Sequence, residues 1–127
     1  MDIKYNVSKI KGSKEEIVKD AVSVEEPLEM RLKYKKNGKI ETQNISITMR
    51  TPGNDEDLIR GFLFNERIIE NMDEIDSIHH IGDPVGDYNL HNVIEAIISK
   101  TDNLDIGKLK RNLLTNSSCG VCGKTSL

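Results

Sequence analysis

Cys119 and Cys122 are the only two cysteines in the 127-residue sequence, and they stand two residues apart in Ser117-Ser118-Cys119-Gly120-Val121-Cys122-Gly123-Lys124. Two thiols at this spacing come together at a tight turn. Gly120 and Gly123 open backbone angles that other residues resist, and they let amide N–H groups point at a sulfur anion. Lys124 adds a positive charge nearby. Both effects lower a thiol pKa and favour the thiolate, which is the nucleophile and the metal ligand. The Ser- and Asn-containing lead-in and the flanking glycines predict an exposed loop over residues 115–127.

Four kinds of chemistry fit such a pair. One is half of a zinc knuckle, but zinc takes four ligands. His79, His80 and His91 are the remaining candidates, and neighbouring residues on a strand face opposite ways, so at most one of His79 and His80 joins. Four thiolates from a dimer are the other way to complete the site. The second is a thioredoxin-like redox pair, which needs the motif at the start of a long helix inside a βαβ unit. Only five residues follow Cys122, which argues against it. The third is a loop with two idle thiols. The fourth is sulfur carriage, in which a thiolate takes a sulfur atom as a persulfide and hands it on, with a second thiol assisting. Spacing alone does not separate sulfur carriage from redox work.

The elements that hold this loop follow from pattern. Leu28, Met30, Leu32 and Tyr34 alternate with Glu29, Arg31, Lys33 and Lys35. That period of two predicts a strand with one buried face. Asn37-Gly38 is a hairpin turn signal, and the return strand runs from about Lys39 to about Met49, with Ile45, Ile47 and Met49 inward. Thr51-Pro52-Gly53 then feeds a helix capped by Asn54 or Asp55 and ending near Asn65. Asp55, Glu56 and Asp57 suit the positive end of its dipole. Leu58, Ile59, Phe62 and Leu63 form its inward stripe, and Gly61 is read as a point of close approach to the sheet. Residues 75–81 are a further strand candidate, and residues 92–99 are a strand or a helix. Residues 1–20 carry scattered apolar positions that suit a weak edge strand or an arm. Residues 101–107 are read as a turn and 108–114 as a helical turn.

The fold expected is α+β: a small, largely antiparallel sheet with one or two packed helices. The boundaries are a domain over residues 1–114 and a cysteine-loop segment over 115–127, with the core between about Val24 and Ser99. Hydrophobic residues are 36 % and aromatics 4 %, so that core is aliphatic. No run approaches the ~20 apolar residues that cross a bilayer. A net charge of −3 gives no general attraction to nucleic acid. Met1-Asp2-Ile3-Lys4 has no apolar stretch of a signal peptide, so a reducing cytoplasm is expected.

Glu25, Glu26 and Glu29 read as solvated strand-edge residues, and Arg60 as half of an exposed ion pair. The three histidines read as surface or strand residues. Lys108, Lys110 and Arg111 read as a solvated turn, with an acidic partner or phosphate as the functional alternative.

Three segments in order resemble the family of the formate dehydrogenase accessory protein FdhD. They are the cysteine loop, Val24-Glu25-Glu26-Pro27-Leu28-Glu29-Met30-Arg31-Leu32, and the stretch from Thr51-Pro52-Gly53-Asn54-Asp55 to Gly61-Phe62-Leu63-Phe64. The resemblance implies a sulfurtransferase of molybdenum cofactor maturation. A cysteine desulfurase would be the sulfur donor. The molybdenum or tungsten bis-guanine-dinucleotide cofactor of formate dehydrogenase would be the acceptor and substrate, with no tightly bound cofactor. By position, Cys119 would carry the persulfide and Cys122 would be its partner. Family members continue past this loop into a C-terminal domain of cytidine-deaminase-like fold, which is implicated in binding the guanine-dinucleotide cofactor. A partial chain, largely without that domain, is therefore the expectation. A homodimer is a further possibility. The alternative function is a non-enzymatic zinc-knuckle or partner-docking module.

Overall fold

The structure, a computed structural model, describes residues 1–99. The expected turn at 101–107, the helical turn at 108–114 with Lys108, Lys110 and Arg111, and the cysteine loop lie outside the described residues.

Residues 1–23 are more regular than an arm. β1 (Asp2–Lys11) and β2 (Lys14–Ser23) pair antiparallel as a two-stranded sheet of their own. Among the described residues it meets the rest of the molecule at its base. The Val24 N–H donates to Met1 O at 3.0 Å, and the Tyr5 and Tyr88 hydroxyls stand 3.5 Å apart.

The main sheet has the order β4 (Lys39–Arg50), β3 (Glu26–Lys36), β6 (Val93–Ile98) and β5 (Ile75–His80). β3 (Glu26–Lys36) and β4 (Lys39–Arg50) form the expected hairpin, and Asn37 and Gly38 both take positive φ, 53° and 75°, as its tight turn demands. β6 (Val93–Ile98) pairs parallel with β3 and antiparallel with β5 (Ile75–His80). Residues 92–99 thus resolve as a strand, in keeping with Val93, Ile94, Ile97 and Ile98. The one α-helix among the described residues, α1 (Asp55–Asn65), follows β4, and a short 3-10 turn (Met72–Glu74) precedes β5.

The core lies between α1 and one sheet face. It gathers Leu28, Met30, Leu32 and Tyr34 of β3 with Ile94, Ala96 and Ile98 of β6, Ile59 and Leu63 of α1, and Ile69. Among the described residues, all the hydrophobic residues that become buried lie between Val24 and Ile98.

Four expectations need correction. The β4 alternation is broken by a bulge: Met30 faces Ser46, but Arg31 faces Asn44, so Ile45 is the extra residue. Ile45 turns into the core, while Ile47 pairs with Glu29 on the reverse face and is fully buried there. Glu29 is therefore no solvated edge residue. It is buried and accepts from Arg31 at 2.7 Å. On the helix, Leu58 is exposed, and only Ile59 and Leu63 are fully inward, with Phe62 packed at the margin. Gly61 is not a point of close approach, because a Cβ added there would meet no atom within 4 Å. Arg60 behaves as expected, bridging Glu56 and Asp57 at 3.3 Å each on the exposed side.

No helix among the described residues is long and apolar enough to cross a membrane.

Candidate functional site

Arg50 ends β4, immediately before the loop Thr51-Pro52-Gly53-Asn54. The loop returns the chain to the sheet's helix side, with Gly53 at φ 136°, a conformation that suits glycine. Asn54 occupies the N-cap position of α1 but makes no side-chain cap bond. Asp55 opens the first turn of α1, as expected of a dipole residue, and is in addition buried and turned toward Arg50.

Arg50 Nε donates to Asp55 Oδ1 at 2.8 Å and Nη2 to Oδ2 at 3.0 Å. The same guanidinium donates to Asn92 Oδ1 at 2.9 Å, to His91 O at 2.9 Å, and to Glu26 O and Pro27 O at 3.2 and 3.4 Å. One buried side chain thus ties together the start of β3, the start of α1 and the entry to β6. A planar guanidinium with five donors suits such a hub, which an ammonium does not reproduce.

His79 and His80 diverge as neighbouring strand residues must. His79 lies on the reverse face with Nε2 3.6 Å from Glu95 Oε1. Glu95 is buried and is also 4.0 Å from Lys33 Nζ. His80 lies on the helix side with Nε2 2.8 Å from Asp55 Oδ2. Burial pushes the Asp55 carboxyl up, but its bonds to Arg50 and His80 and their charges outweigh that and hold it below the ordinary value. Asp55 is therefore ionised and only accepts, so His80 Nε2 is the donor. His91 donates from Nδ1 to Gly82 O at 3.2 Å, and its ring stands 5.8 Å from that of His80. An open cleft of about 340 Å³ is lined by Gly53, Asn54, Asp55, Glu56, Asp57 and His80.

Among the described residues no group of three or more His, Cys, Asp or Glu side chains is arranged to hold a metal ion. The structure thus brings His80 and His91 together and sends His79 away. Cys119 and Cys122 lie outside the described residues.

A family model described as the FdhD/NarQ family matches residues 24–127, which include the whole main sheet, the Pro-Gly loop and both cysteines. The chain belongs to the FdhD/NarQ family. It is 37 % identical over 124 residues to the sulfur carrier protein FdhD of Sulfurisphaera tokodaii, covering 98 % of this chain and 42 % of that protein. It is 38 % identical over 113 residues to the sulfur carrier protein FdhD of Corynebacterium efficiens, covering 85 % and 38 % respectively. It is 42 % identical over 109 residues to that of Streptomyces avermitilis, covering 85 % and 36 %. The chain therefore spans about two fifths of the length of these curated relatives. No solved structure matches it.

Within this FdhD/NarQ domain the Pro-Gly loop and α1 lie where their sequence pattern predicts. The pattern missed Arg50, Asp55 and Asn92 as one network. The available signal was an arginine closing an apolar strand with an acid five residues on, and nothing local pointed to Asn92 as the third partner.

Proposed function

We propose that this chain is the sulfur-accepting portion of a cytoplasmic sulfurtransferase. It relays persulfide sulfur from a cysteine desulfurase to the molybdenum or tungsten bis-guanine-dinucleotide cofactor that formate dehydrogenase requires. The observation that carries this reading is the family match, which runs through Cys119-Gly120-Val121-Cys122 to residue 127. Relatives that cover up to 98 % of the chain are named sulfur carrier proteins. In this reading residues 1–114 are the scaffold and residues 115–127 open a second domain. The cofactor is the substrate. Its binding falls to a C-terminal domain of cytidine-deaminase-like fold in the remaining length of the family.

The Cys119 thiolate attacks the terminal sulfur of the desulfurase persulfide. The sulfur–sulfur bond of the donor breaks as a new one forms on Cys119, and the donor cysteine leaves as a thiolate that takes up a proton. No net oxidation occurs. Cys122 is the second thiol that assists onward release. The Arg50–Asp55–His80 network serves this reading as scaffold, fixing the loop, α1 and the strand pair β5–β6 as one unit.

The test is intact mass after incubation with a cysteine desulfurase and cysteine. The expected result is a gain of one sulfur atom that disappears in Cys119→Ser. No gain, or an equal gain in Cys119→Ser, refutes the assignment.

One observation favours the second reading, a zinc-binding module. His80 and His91 stand 5.8 Å apart and each commits one ring N–H to an oxygen, the habit of metal-ligating histidines. Two histidines and two thiolates make a four-ligand set. Metal analysis decides: zinc lost in both Cys119→Ser and His91→Ala supports this reading, whereas metal-free protein with two titratable thiols removes it.

A further inference from the structure

β1 and β2 make a two-stranded ribbon with a free edge on β2 among the described residues. Such a ribbon alone is marginally stable in water, and an unpaired edge is a template for another strand. Ile10 and Ile17 lie on one face of it as diagonal neighbours, each 74 % exposed.

The register fixes which groups the free edge offers. Lys11 faces Lys14 across the two-residue loop Gly12-Ser13, so they are a hydrogen-bonded pair, and even-numbered residues of β2 bond to β1. The bond from Val24 N to Met1 O continues that parity. Glu15, Ile17, Lys19 and Ala21 therefore turn their backbone groups outward. In an antiparallel pairing of two β2 edges about a two-fold axis, outward residues must face outward residues. With Ile17 facing Ile17 of a second copy, Glu15 faces Lys19 and Lys14 faces Asp20, each twice. A shift of one step either way sets Glu16 against Asp20 or Glu16 against itself. A two-step shift sets Glu15 against itself or Lys19 against itself. Of these five registers only the Ile17-centred one is free of like-charge pairs, and it also joins the two exposed isoleucine pairs into one apolar row.

We propose that the β2 edge is a self-complementary interface, pairing antiparallel with β2 of a second copy of this chain about Ile17. The ribbon then becomes a four-stranded sheet shared by two copies, an isologous two-fold contact. The interface lies outside the residues matched by the family model, and it stands or falls independently of the sulfur-carrier reading.

Sedimentation equilibrium of the 127-residue chain and its charge variants tests it. The wild type is expected to dimerise. Glu15→Lys alone places lysine against lysine twice and raises the dimer Kd about tenfold or more. Glu15→Lys with Lys19→Glu restores the pairing in reversed sense and returns Kd to within about threefold of wild type. In a Cys119→Ser, Cys122→Ser background, Ile17→Cys is expected to cross-link between copies with a short thiol reagent, and Val7→Cys is not. Far-ultraviolet circular dichroism of each variant confirms that the core is folded. A monomer at all concentrations overturns the proposal. So does a dimer indifferent to Glu15→Lys, or one that the double reversal fails to restore.

Discussion

The guanidinium of Arg50 holds both carboxylate oxygens of Asp55, at 2.8 and 3.0 Å, with both side chains buried. Only five residues separate them in sequence, yet the pair closes the Pro-Gly loop and links β4 to α1. Four further acceptors on the same guanidinium extend the tie to β3 and β6.

Breaking that pair from one side leaves the other charge buried and unpaired. Asp55→Ala is expected to destabilise the fold by about 3–5 kcal/mol. Arg50→Lys keeps the charge but loses the fork, and is expected to cost an intermediate amount. Urea denaturation followed by circular dichroism measures both.

The same pair sets an acid limit. Asp55 titrates below its ordinary value of 3.8 in the folded state. Its contribution is therefore complete well above that value and is lost as pH falls through the lowered folded value. The stability gap between wild type and Asp55→Asn is expected to be constant above about pH 5 and to narrow below it. Midpoints of urea denaturation across that range check the sign.

Gly61 sits inside α1 with open space where a Cβ would stand. Gly61→Ala is expected to stabilise the chain by about 0.5–1 kcal/mol, raising Tm. A drop in Tm would mean that the position makes a contact absent from the described residues.

Leu63 is fully buried against the sheet. Leu63→Ala is expected to cost about 2–5 kcal/mol, whereas Leu58→Ala, on the exposed side, stays within about 0.5 kcal/mol. Thermal melts of the two variants separate these outcomes and test the corrected orientation of the helix.

The sequence was most legible where a local rule governs. The β3 alternation, the Asn37-Gly38 turn and the position of α1 all follow from short-range pattern. It was least legible where distant chain segments meet. The bulge at Ile45 flips the face of everything after it in β4, and no local signal marks it. That flip is why Ile47 left the predicted face and why Glu29, read as solvated, came to lie buried beside it. Asn92 is 42 residues from Arg50 and becomes its partner only because β6 enters beside β3. Periodicity could not anticipate this parallel pairing. The separation of His79 from His80 was legible, since strand alternation alone sends them to opposite faces. Which of the two meets Asp55 was not.

The central claim is that Cys119 accepts sulfur from a desulfurase, and transfer of radiolabelled sulfur tests it most directly. Cysteine labelled at sulfur is given to a desulfurase together with this chain, and the products are separated without reductant. Label is expected on the wild-type chain, released by dithiothreitol, retained in Cys122→Ser and absent in Cys119→Ser. A chain that stays unlabelled while the desulfurase is charged, or a Cys119→Ser variant labelled as fully as wild type, would contradict it.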